Sequence, residues 1–433
     1  MKTFNSCTFY IVLFFLVLAC SSKKPSYTQK VEAPIASNGV PFNLFLYKQD
    51  TSITITTSHG TAVKIEPNTF AHMDGSLVSN QIMIKIREMH SAQDIFKSGI
   101  PMSVDATRNG FLQSGGMIEI RAFDNKEELV IANGKSIGVE LANFSPATGF
   151  SLYQLQDNQN WQVTDTFIVK QNERKANALN KIMDFLKKPF VKKSKPANNE
   201  FELVADLKES PHLKSFQNQK WKIVDGTDPA IIEKFMRLNW DDVVINSVNK
   251  KTNKYQLTFT RSITVLGTGV ENRSLTILAS PIITSDTSFT KQLLDYEKTV
   301  ASMKVEKVRL QAEADMVSSF QIRKMGIWNI DKLMKNDDLT EVSVNFDFEK
   351  KLDPLVNNVK LFVLYEEDNS VVYYLPQDWK KVKLSKTKRN SLVAVLPDNK
   401  VALVDAREVS AMMNNGKAAL FFNTVERPAN SYK

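Results

Sequence analysis

Four histidines are the first candidates for chemistry in this sequence, because imidazole is a common metal ligand and proton carrier. They are His59, His72, His90 and His212. The first three follow one another at spacings of 13 and 18 residues, which match no zinc motif. No helical pattern places two of them at positions i and i+4. We therefore expect exposed histidines in turns or at strand ends, and predict no metal site and no cofactor.

Carboxylates are the second candidates, because two facing carboxylates can hydrolyse a glycosidic bond. The acidic runs at Asp241-Asp242 and at Glu366-Glu367-Asp368 consist of sequence neighbours. Neighbouring side chains in strands usually point apart, whereas a glycosidase needs two carboxyl groups about 5–9 Å apart across a cleft. The sequence also lacks a nucleophile elbow and a phosphate-binding glycine loop. We predict no catalytic residues and no enzyme activity.

Cys20 is the residue whose position most clearly indicates covalent chemistry. An apolar run from Ile11 to Leu18 follows the basic Lys2. The run is shorter than the 20 or so residues that span a bilayer, but it fits an export signal. Leu16–Cys20 resembles the lipobox of bacterial lipoproteins, in which the chain is cleaved before the cysteine and the cysteine is acylated. The resemblance implies a signal peptide at 1–19 and lipid on Cys20; the alternative is an ordinary secretory signal.

Lipid attachment has consequences for the rest of the chain. The sequence has two cysteines, and Cys7 would leave with the signal. Acylated Cys20 would then be the only cysteine, which excludes an internal disulfide and a catalytic thiol. The polar segment 20–42 contains Pro25, Pro34 and Pro41 and predicts a flexible tether. We expect the bilayer to be one partner and the outer membrane to be the location.

The face of the membrane is indicated by the residues after the cysteine. Surface lipoproteins of the Bacteroidetes type often carry acidic residues there, whereas this chain has Ser21, Ser22, Lys23 and Lys24. We expect a periplasm-facing protein, with the cell surface as the alternative. The net charge of +9 suits anionic lipid or acidic glycan. Nucleic acid is not expected as a partner, because an exported lipoprotein rarely meets it.

The excess of positive charge is concentrated in one segment, 169–200. Between residues 170 and 195, nine basic residues stand against Glu173 and Asp184. Apolar residues recur at helical spacing, which predicts a basic amphipathic helix. Such a helix can lie on a membrane surface; the alternative is a connector whose apolar stripe packs on a neighbouring domain. The predicted membrane-contact residues are Leu179, Ile182, Met183, Leu186, Lys187, Lys188, Phe190, Lys192 and Lys193.

Segment 43–168 shows short alternating strands between turn signals such as Asp74-Gly75 and Asn133-Gly134. This pattern predicts an antiparallel β-sandwich. The stretches Gly60–Phe70, Ile82–Ile86 and Ser114–Ile120 resemble a module of Bacteroidetes-type envelope lipoproteins that is itself similar to ZU5-like β-sandwiches. The resemblance implies a fold and a tendency to bind other proteins, and it brings no catalytic residues.

The remaining chain divides into three predicted segments. Residues 201–287 indicate a small β-rich module, and 336–433 a C-terminal β-sandwich. Between them, 288–335 predicts a long helix over 288–318 and a connector. One face of that helix carries an apolar stripe that we expect to pack on its own domain. The stripe contains Leu294, Ala301, Val305, Val308, Ala312 and Met316.

Three smaller patterns complete these expectations. Residues 320–331 resemble a Gly-Ile-aromatic-Asn-x-Asp signature of the same lipoproteins, to which no activity is attached. The basic cluster between Lys380 and Arg389 predicts a solvated hairpin tip. The five tryptophans are spread over every module, which favours core anchors over a glycan-binding platform.

The predicted fold class is mainly β, with tandem antiparallel β-sandwich-like modules joined by a basic amphipathic helix and one long helix. The predicted function is that of a membrane-anchored, non-enzymatic lipoprotein that binds or scaffolds other envelope proteins or glycans. The alternative is an envelope hydrolase that acts on glycan or peptidoglycan, with paired carboxylates brought together by folding.

Overall fold

A computed structural model shows a mainly β protein, as the sequence predicts, built mostly from antiparallel strand pairs in sandwich-like modules. The structure describes residues 31–78, 81–104, 110–145, 148–186, 199–203, 219–249, 254–265, 269–282, 286–334, 338–348, 358–397, 400–414, 419–423 and 426–428. No helix within these ranges combines the length and apolarity needed to cross a membrane.

In the part of the chain that the structure describes, the first module begins with twelve strands and one short helix. Its turns include Gly75 and Gly134, whose positive φ angles of 84° and 75° fit the predicted turn signals. The elements are β1 (Asn43–Tyr47), β2 (Ile53–Thr56), β3 (Ala62–Ile65), β4 (Phe70–Ala71), β5 (Ile82–Met89), α1 (Ala92–Ser98), β6 (Leu112–Asp124), β7 (Glu127–Glu128), β8 (Val130–Ile131), β9 (Ile137–Asn143), β10 (Ser151–Leu155), β11 (Trp161–Val163) and β12 (Ile168–Gln171).

The chain then leaves the first module and forms a second, smaller one. Its sheet has the order β13-β14-β17-β16-β15, and its core contains Trp221, Trp240 and Phe259. The elements are α2 (Glu173–Leu186), β13 (Glu200–Leu203), β14 (Gln219–Ile223), α3 (Pro229–Arg237), β15 (Asp242–Asn249), β16 (Lys254–Val265), β17 (Gly269–Pro281) and α4 (Asp286–Ala312).

Two further strands, β18 (Met316–Ile322) and β19 (Gly326–Leu333), return to the first module. Strand β19 lies between β6 and β10 in the sheet β1-β5-β6-β19-β10-β11, and β18 lies between β12 and β9 in the sheet β12-β18-β9-β3-β2. The apolar faces of these sheets meet in one core. The second module is therefore an insertion, and the segment that we predicted as a connector completes the first sandwich.

The described residues of the C-terminal module form two sheets, with orders β23-β20-β26 and β22-β21-β24-β25-β27. Its core contains Trp379, Val363 and Phe422. The elements are β20 (Leu339–Asp347), β21 (Lys360–Tyr365), β22 (Ser370–Tyr374), β23 (Val382–Ser385), β24 (Asn390–Val395), β25 (Lys400–Val404), α5 (Ala406–Asn414), β26 (Ala419–Asn423) and β27 (Glu426–Pro428).

The first and C-terminal modules share a third hydrophobic core. Helix α1 packs on β21 and β22, where the rings of Phe96 and Phe362 meet edge-on with centroids 5.0 Å apart. Leu112 and Ile327 of the first module and Val393 of the C-terminal module belong to the same cluster. The sheet that contains β6 and β19 is thus covered on both faces.

Helix α4 differs from the prediction in its end and in its orientation. It ends at Ala312 because Met316–Ile322 pairs with strands on both sides as β18. Its stripe was expected to pack on its own domain, but the side chains of Leu294, Val305 and Val308 are exposed. Leu310 on the helix is fully buried instead. The expected packing of the stripe is therefore wrong.

Candidate functional site

The turn between β2 and β3 brings His59 to the end of β5. The Gly60 amide donates to the Thr57 carbonyl to close the turn, and Gly60 has a φ of 95°. Glu88 lies near the end of β5, and His90 lies between β5 and α1. The Asp94 carboxylate accepts from the His90 amide at 3.2 Å and fixes that junction. The two sheets of the first sandwich therefore contribute to one polar cluster.

Glu88 stands between the two imidazoles of this cluster. Its Oε2 lies 3.3 Å from Nδ1 of His59, and its Oε1 lies 3.2 Å from Nε2 of His90. The two rings have centroids 4.8 Å apart, and Phe144 packs edge-on against both. We call His59, Glu88 and His90 the His–Glu–His cluster.

Thr61 orients the carboxylate of Glu88. The Ala142 amide donates to Oγ1 of Thr61 at 2.8 Å. The Thr61 hydroxyl in turn donates a short hydrogen bond to the Glu88 carboxylate. Thr61 is fully buried. A carboxylate held by such a hydrogen bond is already oriented before it binds a ligand.

The hydrogen bonds in the cluster favour an ionised Glu88 and a protonated His59. Burial opposes the ionisation of Glu88, but the hydrogen bonds with His59 and His90 outweigh it and hold the pKa of Glu88 well below its usual range. The hydrogen bond with Glu88 raises the pKa of His59, although partial burial acts against it. Glu88 is therefore an anion that faces one imidazole nitrogen of each histidine.

The cluster has one open side. The side chains of Glu88 and His90 are 3% and 8% exposed, whereas that of His59 is 48% exposed. The nitrogen and oxygen atoms that could bind an ion all lie within 4.8 Å of one another. The expectation of separate, exposed turn histidines is thus wrong for His90. One signal was present in the sequence, because Glu88 and His90 are two residues apart at the end of a strand, and extended residues at this spacing share a face.

His72 lies elsewhere, and His212 lies outside the described residues. The nitrogens of His72 are 3.6 Å from Asp124 and 3.4 Å from Glu127. This histidine therefore has carboxylate neighbours but belongs to a different part of the sandwich.

A second polar feature is a cleft of about 710 Å³ between the first and C-terminal modules. We call it the inter-module cleft. Its volume lies in the range of about 300–1,000 Å³ that is typical of ligand sites, which are often found between domains. Its polar lining residues are Gln113, Thr148, Tyr153, Lys332, Asp338, Asp368, Ser385 and Lys388.

The acidic run at 366–368 and the basic cluster at 388–389 meet beside the cleft. Lys388 Nζ lies 2.7 Å from the buried Asp368 carboxylate, and Arg389 pairs with Glu367 at 2.7 Å. The Glu367 carboxylate has its pKa lowered, since its hydrogen bonds with Arg389 outweigh burial. The Arg389 side chain is 64% exposed and that of Lys388 is 38% exposed, which is consistent with the expected solvated tip, and both side chains pair with acidic partners there.

The Gly-Ile-aromatic-Asn-x-Asp signature lies inside the protein. Asn329 and Asp331 of β19 are fully buried. Ser114 donates to Oδ1 of Asn329 at 2.8 Å, and Asn329 donates to Oδ2 of Asp331 at 2.5 Å. A register shift between Ile330 and Asp331 lets β19 bend past β6 at this point. These contacts give the signature residues a structural role where the first module borders the C-terminal one.

The predicted membrane-contact residues are only partly described. Cys20, Lys187, Lys188, Phe190, Lys192 and Lys193 lie outside the described residues, and α2 ends at Leu186. Leu179 is half-buried, Ile182 is buried and Met183 is exposed. Lys175 donates to the Glu313 carbonyl at 2.6 Å. The burial of Ile182 and the hydrogen bond from Lys175 favour the connector alternative for the described part of the helix.

All five tryptophans are buried, which confirms that they are core anchors. No family model matches the chain, and no curated protein or solved structure is significantly similar to it.

Proposed function

We propose that this protein is a lipid-anchored, non-enzymatic envelope protein that binds an oligosaccharide in the inter-module cleft. The anchor is Cys20, on the strength of the lipobox resemblance at Leu16–Cys20. The observation that carries the binding role is the cleft itself, whose volume and position between two modules are those of a ligand site.

The lining of the cleft suits sugar hydroxyl groups. Gln113, Thr148, Tyr153 and Ser385 bring amide and hydroxyl groups that both donate and accept hydrogen bonds. Lys332 Nζ lies 4.8 Å from the centroid of the Phe150 ring, which holds the lysine in place at the cleft wall. Mixed donors and acceptors, rather than a single sign of charge, favour an uncharged or weakly charged glycan.

The charge arrangement supports binding over hydrolysis. Among the described residues, two carboxylates line the cleft, Asp338 and Asp368. The Asp368 side chain is only 4% exposed, and Lys388 neutralises it at 2.7 Å. A glycosidase needs one protonated and one free carboxyl group across the bond that breaks. A carboxylate that already pairs with a lysine is poorly suited to be either the protonated or the free carboxyl group.

The test is to screen the purified chain against an array of oligosaccharides that includes soluble fragments of peptidoglycan. The best ligand is then titrated into the variants Tyr153→Phe and Lys332→Ala. Each variant removes polar contacts in the cleft, so we expect at least tenfold weaker binding, which corresponds to about 1.4 kcal/mol.

Lys85→Ala is the matched control. Lys85 Nζ lies 4.5 Å over the Phe123 ring, a contact of the same kind outside the cleft. This variant should bind like the wild type. The proposal fails if no oligosaccharide binds or if the cleft variants bind as well as the control. Release of new reducing ends that stops in Asp338→Asn would instead support the hydrolase.

A further inference from the structure

We infer that the His–Glu–His cluster binds a divalent transition-metal ion, with zinc as the best fit, through one nitrogen each of His59 and His90 and the carboxylate of Glu88. The proposal does not depend on the inter-module cleft or on its ligand.

The first argument is distance. Zinc binds histidine nitrogen at about 2.0–2.1 Å and carboxylate oxygen at about 2.0–2.2 Å, so neighbouring ligand atoms of a tetrahedral ion lie about 3.3 Å apart. The Glu88 oxygens lie 3.3 Å from His59 and 3.2 Å from His90. The widest separation in the cluster is at most 4.8 Å. His59 is the half-exposed member of the cluster, so its ring has room to adjust toward an ion.

The second argument is the support around the ligands. Metal-binding carboxylates are usually held by further hydrogen bonds, and Thr61 holds Glu88 in this way while the Ala142 amide holds Thr61. The backbone of His59 is fixed by the Ala314 amide, which donates to the His59 carbonyl at 3.0 Å. The side chain of His59 thus moves on a fixed backbone.

The donor set identifies the class of metal. Two imidazoles and one carboxylate suit zinc, copper, nickel or iron, whereas calcium and magnesium prefer oxygen ligands alone. Three protein ligands leave one coordination position of a tetrahedral ion open. Because the His59 side chain is 48% exposed, solvent has access to the cluster, and a water molecule could fill that position.

The experiment is a zinc competition titration of the full-length chain against a chromophoric chelator, after the protein has been stripped of metal. We expect one zinc ion per chain. Removal of a ligand in His59→Ala or His90→Ala should weaken binding more than about 100-fold. Thr61→Val, which removes only the orienting hydroxyl, should weaken it about 10–100-fold.

His72→Ala is the matched control, because His72 also neighbours carboxylates but lies outside the cluster. It should bind zinc like the wild type. His59 is half-exposed, so His59→Ala should fold even if His90→Ala does not, and zinc should raise the melting temperature of the wild type but not of His59→Ala. The inference is overturned if the wild type binds no better than His59→Ala for zinc, copper and nickel, or if His72→Ala loses binding equally.

Discussion

Asp331 offers a test of how the fold treats a buried acid. The residue is fully buried in β19, and Oδ1 of its carboxyl group has no hydrogen-bond partner within the described part of the chain. Burial raises the pKa of Asp331 well above its usual range. Folding therefore binds a proton at pH values where the unfolded chain is ionised. Asp331→Asn keeps the shape and polarity of the side chain but cannot titrate.

The sign and size of the effect follow from proton linkage. A raised pKa in the folded state gives a stabilising contribution that is complete below the unfolded pKa, near 3.9, and is lost as the pH rises toward the folded pKa. Between those two values the loss is about 1.4 kcal/mol per pH unit. The wild type should thus lose about 1.4 kcal/mol relative to Asp331→Asn between about pH 5 and pH 6.

The assay must report on the first module alone, because the other modules can unfold separately. Urea unfolding followed by pulsed hydrogen exchange, with peptides from β6 and β19 read by mass spectrometry, provides this. Asp338→Asn is the control, because Asp338 is exposed. Equal pH dependence in the wild type and in Asp331→Asn would refute the conclusion that the buried carboxyl group is protonated.

Four further substitutions test the stability of the fold. Gly60→Ala should lower the free energy of unfolding by about 2–4 kcal/mol, since its Cβ would lie 3.0 Å from Glu313 at a positive φ. Gly75→Ala has the strain without the contact and should cost about 1 kcal/mol. Glu119→Gln removes the buried carboxylate that pairs with two arginines and should cost about 3–5 kcal/mol, a loss that chemical denaturation would measure. Val305→Lys should change the free energy of unfolding by less than about 0.5 kcal/mol, because Val305 is 71% exposed. A strongly lowered melting temperature would show instead that the α4 stripe is covered.

The strands of this protein were readable from local patterns. Alternation in Ile82–Met89 and the turn signals at Gly75 and Gly134 gave elements close to those in the structure. These features depend on neighbours in sequence, such as the burial of every second residue and the φ angles that glycine permits.

The insertion was not readable, because it depends on contacts between distant residues. Strand β19 pairs with β6, and β18 pairs with β9, across the whole second module. Nothing local to Met316–Ile322 distinguishes a strand that returns from a continuing helix, since the segment lacks Pro and Gly. Pairing on both sides decides the outcome.

The His–Glu–His cluster was missed for the same reason. His59 and Glu88 are far apart in sequence and meet only because the two sheets of the sandwich stack with these ends together. Motif searches by spacing detect ligands on one local element, and this cluster has only the Glu88–His90 pair of that kind. The packing of the α4 stripe was mispredicted for a different reason. Helical periodicity shows which residues share a face, but it does not show whether that face meets the protein or solvent.

The anchor at Cys20 is the premise on which the proposed envelope role rests, and incorporation of a labelled fatty acid tests it most directly. The full-length chain, expressed in a bacterium that processes lipoproteins, is compared with Cys20→Ser and with Cys7→Ser, which alters the chain's other cysteine. The wild type and Cys7→Ser should carry the label, and Cys20→Ser should carry none. Label that persists in Cys20→Ser, or its absence from the wild type, would contradict a lipid-anchored protein.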